Sequence, residues 1–130
     1  MDGIWTELYD AAMGVIKPRE ISHRIETGGV GAAVEAASGM IYVGVCVEAA
    51  CALGVCAERS AIFNMLTNGE DGIRRVVAVH DGGNVIPPCG ACRELMSQLM
   101  PDGCRDIEIM MDYEDGRIVT LGELTPEWWK

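Results

Sequence analysis

Apolar residues recur at helical spacing in three stretches of the chain, and each stretch predicts an amphipathic helix. The first is predicted over residues 3–17, with Asp2 in the capping position and Pro18 limiting its end. The second is predicted from Cys56 to about Leu66, and the third from Cys89 to Met100. The positions expected to face the core are Ile4, Trp5, Leu8, Ala12 and Ile16, then Ala61, Ile62, Met65 and Leu66, and finally Leu95, Met96 and Leu99.

Five further segments have the composition of β-strands. The third of them reads RVVAVH, a continuous apolar run that is typical of a strand covered on both faces. Strands interleaved with helices indicate an α/β fold. We therefore expect a three-layer α/β/α sandwich around a mixed five-stranded sheet. The predicted strands cover residues 28–34, 40–47, 75–80, 107–111 and 117–121, and the first two form a hairpin.

The composition indicates a globular protein rather than a disordered or membrane-spanning one. The chain has 130 residues, of which 49% are hydrophobic and 23% charged, so we expect one globular domain over residues 1–130. No apolar run approaches the roughly 20 residues that span a bilayer, and no basic segment leads into an apolar one at the start. These features predict a cytoplasmic protein with no membrane partner. Its six cysteines are then expected to be thiols or metal ligands rather than disulfides.

The formal net charge of −10 argues against a nucleic-acid partner, because affinity for a polynucleotide depends on neutralising its phosphates. The ten Lys and Arg residues are scattered, and only Arg74 and Arg75 are adjacent. If the substrate contains a nucleobase, we expect that base to arrive on a small free molecule. The acidity is equally compatible with a role in solubility alone.

Two short motifs carry the chemistry. Cys56-Ala57-Glu58 places a thiol two residues before a carboxylate, and Pro88-Cys89-Gly90-Ala91-Cys92 follows about thirty residues later. A zinc deaminase has one ligand two residues before a Glu and then a Pro-Cys-x-x-Cys motif. Three thiolates can hold zinc and leave its fourth position open, which is the arrangement of a catalytic site. We predict one zinc ion per chain, bound by Cys56, Cys89 and Cys92.

The expected reaction is hydrolysis of an exocyclic amine to a carbonyl with release of ammonia. Glu58 would carry protons from water to the ring nitrogen and to the departing amine, so that one carboxylate serves as base and acid. Three thiolates and Zn²⁺ sum to −1, which weakens the ion as a Lewis acid. Positive helix N-termini offset this charge, and hydrogen bonds from Arg59 or Arg93 to ligand sulfur would offset it further.

Other interpretations use the same cysteines. A closed structural zinc site, in a noncatalytic zinc-stabilised module, would need a fourth ligand but would leave the position of Glu58 unexplained. Alternatively, Cys89 and Cys92 alone would form a redox pair. The residues that could supply a fourth structural ligand are Cys104, Cys51, Cys46, His80 and His23.

The chain resembles the small homotetrameric cytidine deaminases and their relatives, the blasticidin S deaminases. The resemblance rests on VGAAV, GVCVEAA, LGVCAERSAI, PCGACREL and LGELTP, in that order. It implies zinc on the three cysteines, proton transfer by Glu58, and a tetramer with active sites near subunit interfaces. It also implies that Arg59 and Pro88 support the ligands, and that Cys46, Glu48 and Ala57 contact the substrate.

Three departures from the family pattern bear on the substrate. Cytidine deaminases usually carry Asn-x-Glu, for the sugar hydroxyls, where this chain has Cys46-Val47-Glu48. Thr27-Gly28-Gly29 replaces the expected aromatic, and the usual tail Phe is absent, with Trp128 and Trp129 as candidate substitutes. Cytidine or deoxycytidine, in pyrimidine salvage, is the first predicted substrate. A cytosine-bearing antibiotic of the blasticidin S type is second, and another aminated heterocycle, including an aminopurine, is third.

Overall fold

A computed structural model describes residues 2–129, and its seven strands form one mixed sheet. The strands β4 and β6 pair in parallel, whereas every other pair of strands is antiparallel. The elements in chain order are α1 Gly3–Val15, β1 Arg19–Glu20, β2 Glu26–Ala36, β3 Ile41–Glu48, α2 Ala57–Thr67, β4 Ile73–His80, β5 Val85–Ile86, α3 Gly90–Leu99, a 3-10 turn Cys104–Asp106, β6 Glu108–Asp112, β7 Arg117–Thr120 and α4 Leu121–Leu124.

The predicted α/β fold is confirmed, but the sheet has seven strands rather than five. All five predicted strands are present, in the spatial order β3-β2-β4-β6-β7. The two additional strands, β1 and β5, have two residues each, which is too short for an alternating pattern to be recognised. Because β3 occupies one edge of β2, β1 lies in line with β4 along the other edge. In the same way β5 pairs with β4 on the edge that β6 also uses.

The helices cover both faces of the sheet, as a three-layer sandwich requires. On one face Trp5, Leu8 and Ala12 of α1 pack against a cluster that includes Val77 and Val79. The opposite face of the sheet is covered by α2 and α3. The buried residues on that face include Ala32, Val34, Val76 and Ala78 from the sheet, Ala61, Ile62 and Met65 from α2, and Met96 from α3.

Helix boundaries differ from the predictions in small ways. The backbone of Ile16 is already extended, with φ −65° and ψ 120°, so α1 ends at Val15. Asp2 occupies the N-cap position of α1 but makes no side-chain capping hydrogen bond. Leu66 was expected in the core, but 38% of its surface is exposed. Among residues 2–129 no helix is long and apolar enough to cross a bilayer.

Gly44 in β3 allows α2 to pack directly on the backbone of the strand. A Cβ at this position would stand 2.6 Å from the carbonyl carbon and the Cβ of Ser60. It would be closer still to the amide nitrogen of Ala61. The absence of a side chain at position 44 therefore sets the height of α2 above the sheet, and with it the position of the residues that begin the helix.

We expect Gly44→Ala to lower the free energy of unfolding by about 1–3 kcal/mol. The added methyl group would clash with the backbone of α2 at Ser60 and Ala61, which cannot move aside as a flexible side chain could. The measurement is urea denaturation followed by circular dichroism. Gly29→Ala in β2 is the matched control, since a Cβ there would meet nothing within 4 Å. Equal stability of the two variants would contradict this account of Gly44.

Candidate active site and metal centre

Two helix N-termini bring the three predicted zinc ligands together. Cys56 is the N-cap of α2, Cys89 is the N-cap of α3, and Cys92 lies in the first turn of α3. The Sγ atoms of Cys56 and Cys89 are 3.2 Å apart, and those of Cys89 and Cys92 are 3.6 Å apart. All three sulfur atoms lie within 4.8 Å of one another.

Short β-pairings fix both helix starts. The backbone N–H groups of Val47 and Val55 each donate to the other's carbonyl at 2.9 Å, which anchors the segment immediately before Cys56. Strand β5 pairs with β4 and ends three residues before Cys89. The sheet therefore positions the cysteines of both helices through these two contacts.

The three sulfur atoms fit a zinc ion. Tetrahedral zinc with Zn–S bonds of about 2.3 Å separates its sulfur ligands by roughly 3.8 Å, close to the spacing found here. Among residues 2–129, no further His, Cys, Asp or Glu joins the group. The candidate fourth ligands of a closed structural site are therefore not part of it, and the donor set leaves one position for a small molecule.

The thiols differ in their electrostatic surroundings. Burial, followed by the hydrogen bond with Cys89, raises the pKa of Cys56, which Arg59 partly offsets. Burial also raises the pKa of Cys92, and the nearby charge of Glu58 adds to the effect. Burial acts the same way on Cys89, but the backbone amides of Cys92 and Ala91 and the neighbouring thiols outweigh it, so its pKa is lowered. Three thiolates so close together require a cation to balance them.

Two arginines act on this centre in different ways. Arg59 Nη2 donates to Cys56 Sγ over 3.7 Å. Arg93 does not take the alternative role considered for it. Its Nε donates to the Pro88 carbonyl at 2.8 Å and its Nη1 to the Leu124 carbonyl at 3.1 Å. Arg93 thereby connects the buried Pro88, next to Cys89, with the C-terminal helix α4.

Glu58 has the surroundings of a proton-transfer group. Only 3% of its surface is exposed, and it lies in the first turn of α2. Burial raises the pKa of its carboxyl, while its backbone amide and Arg59 partly offset that rise. A raised pKa suits a carboxyl that must both accept and return a proton near neutral pH.

A cavity of about 610 Å³ adjoins these groups. This volume is typical of sites for small organic molecules. The residues of the predicted site that line it are Cys46, Glu48, Ala57, Glu58, Arg59, Cys56 and Cys89. Motif reasoning missed Val30, Ile86 and Pro87, which also line the cavity. Two sequence signals could have indicated them: Ile86 and Pro87 directly precede Pro88, and Val30 is the first residue of the VGAAV motif.

Cys46 and Gly28, which stand at two of the departures from the family pattern, both make close contacts within the chain. Cys46 Sγ accepts a hydrogen bond from the Val30 amide at 3.3 Å, and Thr27 Oγ1 donates to the Cys46 carbonyl at 2.7 Å. Gly28 has φ +86°, and a Cβ there would stand 2.6 Å from the carbonyl carbon of Lys17. An aromatic side chain therefore cannot occupy position 28.

The tail does not supply the missing aromatic within this chain. Trp129 Nε1 donates to Glu94 Oε1 at 2.8 Å on the outside of α3, and 72% of Trp129 is exposed. Neither Trp128 nor Trp129 is among the described residues that line the cavity.

The fold and site define a zinc-dependent hydrolase that acts on a C–N bond. Residues 10–105 match the sequence model of the family described as the cytidine and deoxycytidylate deaminase zinc-binding region. The chain belongs to the cytidine deaminase family, and the predicted family and zinc cofactor are confirmed.

Relatives and solved structures agree with this assignment. A cytidine deaminase of Halalkalibacterium halodurans is 35% identical over 100 residues, covering 75% of this chain and 74% of the relative. A blasticidin-S deaminase of Bacillus cereus is 36% identical over 108 residues, with coverage of 75% and 74%. The crystal structure of cytidine deaminase from Mycobacterium tuberculosis superposes with a TM-score of 0.79 at 27% identity, covering 99% of both chains. That from Mycobacterium leprae gives a TM-score of 0.77 at 30% identity, covering 97% of this chain and 100% of the other.

We expect Cys89→Ala to lose the single zinc ion and much of the stability of the fold. Metal affinity contributes to folding free energy, on the order of 10 kcal/mol for structural zinc. Elemental analysis of protein purified without chelator measures the zinc. Cys51→Ala is the matched control, because Cys51 is also an exposed thiol but lies outside the cluster. Full zinc content in Cys89→Ala would remove this residue from the ligand set.

Proposed function

We propose that this chain, as a single domain over residues 1–130, deaminates a free cytosine nucleoside, cytidine or deoxycytidine. Water replaces the exocyclic amine with a carbonyl and releases ammonia. The observation that carries the proposal is that the buried Glu58 and the cysteine cluster adjoin one cavity of nucleoside size. The names of the cytidine deaminases among its relatives support the choice of substrate.

In this mechanism Cys56, Cys89 and Cys92 would hold zinc, which would supply a Lewis acid able to lower the pKa of a water toward neutral pH. Glu58 accepts the proton that the water loses. The same carboxyl would pass this first proton to the ring nitrogen, then take a second proton from the newly bound hydroxyl group and pass it to the departing amine, which leaves as ammonia. Arg59 stabilises the Cys56 thiolate through its hydrogen bond. The apolar wall that includes Val30 and Ile86 excludes water from the base.

At the far side of the cavity, Glu48 and Cys46 would meet the substituent on ring nitrogen N1. Glu48 can accept a hydrogen bond from a sugar hydroxyl. The Cys46 thiol cannot replace the amide of the usual Asn, since a thiol is only a weak donor and acceptor and its sulfur already accepts from the Val30 amide. This difference, and the relative named blasticidin-S deaminase, favour a cytosine-bearing antibiotic as the second candidate substrate.

For the assembled protein we propose a homotetramer in the cytoplasm, with no nucleic-acid or membrane partner and a role in pyrimidine salvage. The apolar surface supports association. Leu53, beside the cavity-lining segment, is 71% exposed, and Phe63 and Leu66 on α2 are 44% and 38% exposed. Residues three apart on a helix share a face, so these two side chains offer one apolar patch to a neighbour. Light scattering measures the assembly.

We expect Glu58→Gln to keep zinc while turnover falls by at least about 10²-fold, because an amide cannot shuttle protons. Ammonia release is measured across a panel of free aminated bases, nucleosides and nucleotides. Glu7→Gln on the exposed side of α1 is the control for the same change of charge. Near wild-type turnover of Glu58→Gln, with zinc retained, would exclude Glu58 from the mechanism.

Cys46→Asn tests the sugar contact. If the cavity accepts a ribose, the added amide supplies one net hydrogen bond of roughly 0.5–1.5 kcal/mol, and kcat/KM on cytidine rises about two- to tenfold. If the natural substrate carries a different group there, the amide is buried without a partner at a cost of about 1–3 kcal/mol. Activity on that substrate then falls. Wild type and variant are compared on cytidine, deoxycytidine and blasticidin S.

A further inference from the structure

The motif LGELTP, at residues 121–126, is fixed in place although none of its residues lines the catalytic cavity. Its first four residues form α4, which begins with a capping box between Thr120 and Glu123. Leu121 is fully buried, and its amide donates to the Ile107 carbonyl at 2.8 Å. The motif is therefore held in one position against the segment that leads into β6.

Two arginines bind the carbonyl groups at the end of α4. The last carbonyls of a helix have no partner within the helix and need donors from elsewhere. Arg105 donates to the Gly122 and Thr125 carbonyls at 3.3 Å each. Arg93 Nη1 donates to the Leu124 carbonyl at 3.1 Å. Of these two arginines, only Arg93 belongs to α3, the helix that begins at the predicted zinc ligands.

Arg93 holds the backbone on both sides of the Cys89 Cα atom. Its Nε donates to the carbonyl of Pro88, the preceding residue, at 2.8 Å. Its own backbone amide donates to the Cys89 carbonyl at 3.0 Å. The two peptide groups that flank Cys89 are thus both bound to one residue, which determines the direction in which the Cys89 side chain leaves the backbone.

The two prolines before Cys89 make this contact important. Pro87 and Pro88 have no backbone N–H, so neither residue can donate a hydrogen bond to the sheet. Strand β5 ends at Ile86, whose partner in β4 is Ala78. The hydrogen bond from Arg93 ties the segment after Ile86 through a carbonyl instead.

We propose that Arg93, anchored by the LGELTP motif, is a positioning residue that directs the Cys89 thiolate toward the metal position. The inference rests on the proposed deaminase function and on Cys89 as one of its zinc ligands. Arg93 is not among the described residues that line the cavity, so it would act on the reaction only through Cys89. Partners that orient a metal ligand typically contribute roughly 10- to 100-fold to metal affinity or activity.

The test compares Arg93→Gln with Arg105→Gln. Each variant removes a guanidinium that binds α4, but only Arg93 also binds Pro88. We expect zinc to pass from the purified holoenzyme to a chromophoric chelator about 10- to 100-fold faster in Arg93→Gln, and at close to the wild-type rate in Arg105→Gln. The absorption spectrum of the cobalt-substituted protein, which reports ligand geometry, should change in Arg93→Gln alone.

Arg93→Lys separates position from charge. Lysine keeps the positive charge but lacks the planar fork that can bind two carbonyls at once. We therefore expect Arg93→Lys to release zinc nearly as fast as Arg93→Gln. On cytidine, both variants should lower kcat by about 10- to 100-fold. Their KM should change little, because Arg93 lies outside the cavity.

Three results would overturn the inference and leave the proposed function intact. The first is zinc release and a cobalt spectrum in Arg93→Gln that match the wild type. The second is an equal change in Arg93→Gln and Arg105→Gln, which would indicate a role in the fold alone. The third is wild-type behaviour of Arg93→Lys, which would show that the charge suffices.

Failure of the proposed function is distinguishable from these results. If the wild type deaminates no cytosine nucleoside, the proposed function fails, while zinc release and the cobalt spectrum still decide whether Arg93 positions Cys89. If Cys89→Ala keeps its zinc, Cys89 is not a ligand and the inference about Arg93 fails with it.

Discussion

The crowding of three cysteine sulfurs at one point constrains the rest of the structure. Sulfurs 3.2 and 3.6 Å apart cannot all ionise without a cation between them, and burial opposes ionisation further at Cys92. The helices α2 and α3 begin at the same place above the sheet, and the positive partial charge of their N-termini favours the ionised sulfurs there. The height of α2 depends on Gly44, and the start of α3 depends on β5 and on the Arg93 contacts. Residues that are far apart in the sequence therefore determine the positions of the three sulfur atoms.

The long elements of the fold were predictable because their periodicity extends over many residues. Trp5, Leu8 and Ala12 are buried along one face of α1, and alternate residues of β2 and β4 face opposite layers, as expected. The short elements were not predictable. A two-residue strand such as β1 or β5 has no periodicity to detect, and its existence depends on which edge of the sheet is free. The bulge at Gly28 requires glycine, but the segment that Gly28 lies against, the backbone of Lys17, is a tertiary contact that the local sequence does not identify.

In the candidate site, too, some residues were predictable from the sequence and others were not. The three cysteines and Glu58 were predictable because zinc chemistry demands these residue types at fixed spacing. Val30 and Ile86 were not, since apolar cavity walls look like any other apolar residues. Arg93 illustrates a further limit. Its position next to Cys92 suggested a contact with sulfur, yet its guanidinium extends to two backbone carbonyls, one of them 31 residues away in sequence. Where a long flexible side chain ends is decided by partners that the sequence does not place.

The end of the cavity lined by Glu48 and Ala52 includes residues whose arrangement costs the fold stability. The like-charged row of Glu20, Glu26 and Glu48 across β1, β2 and β3 weakens strand pairing. Residues Cys51 and Ala52, near the same cavity, adopt positive φ values of 60° and 59°. Such strain is typical of functional segments and costs of the order of 1–3 kcal/mol per residue. At the metal end of the cavity, by contrast, Arg59 donates a hydrogen bond to Cys56 Sγ and Arg93 donates to two backbone carbonyls. This contrast follows from the two tasks of such an enzyme: the reacting atoms require one fixed geometry, whereas the choice of substrate depends on what the opposite end of the cavity admits.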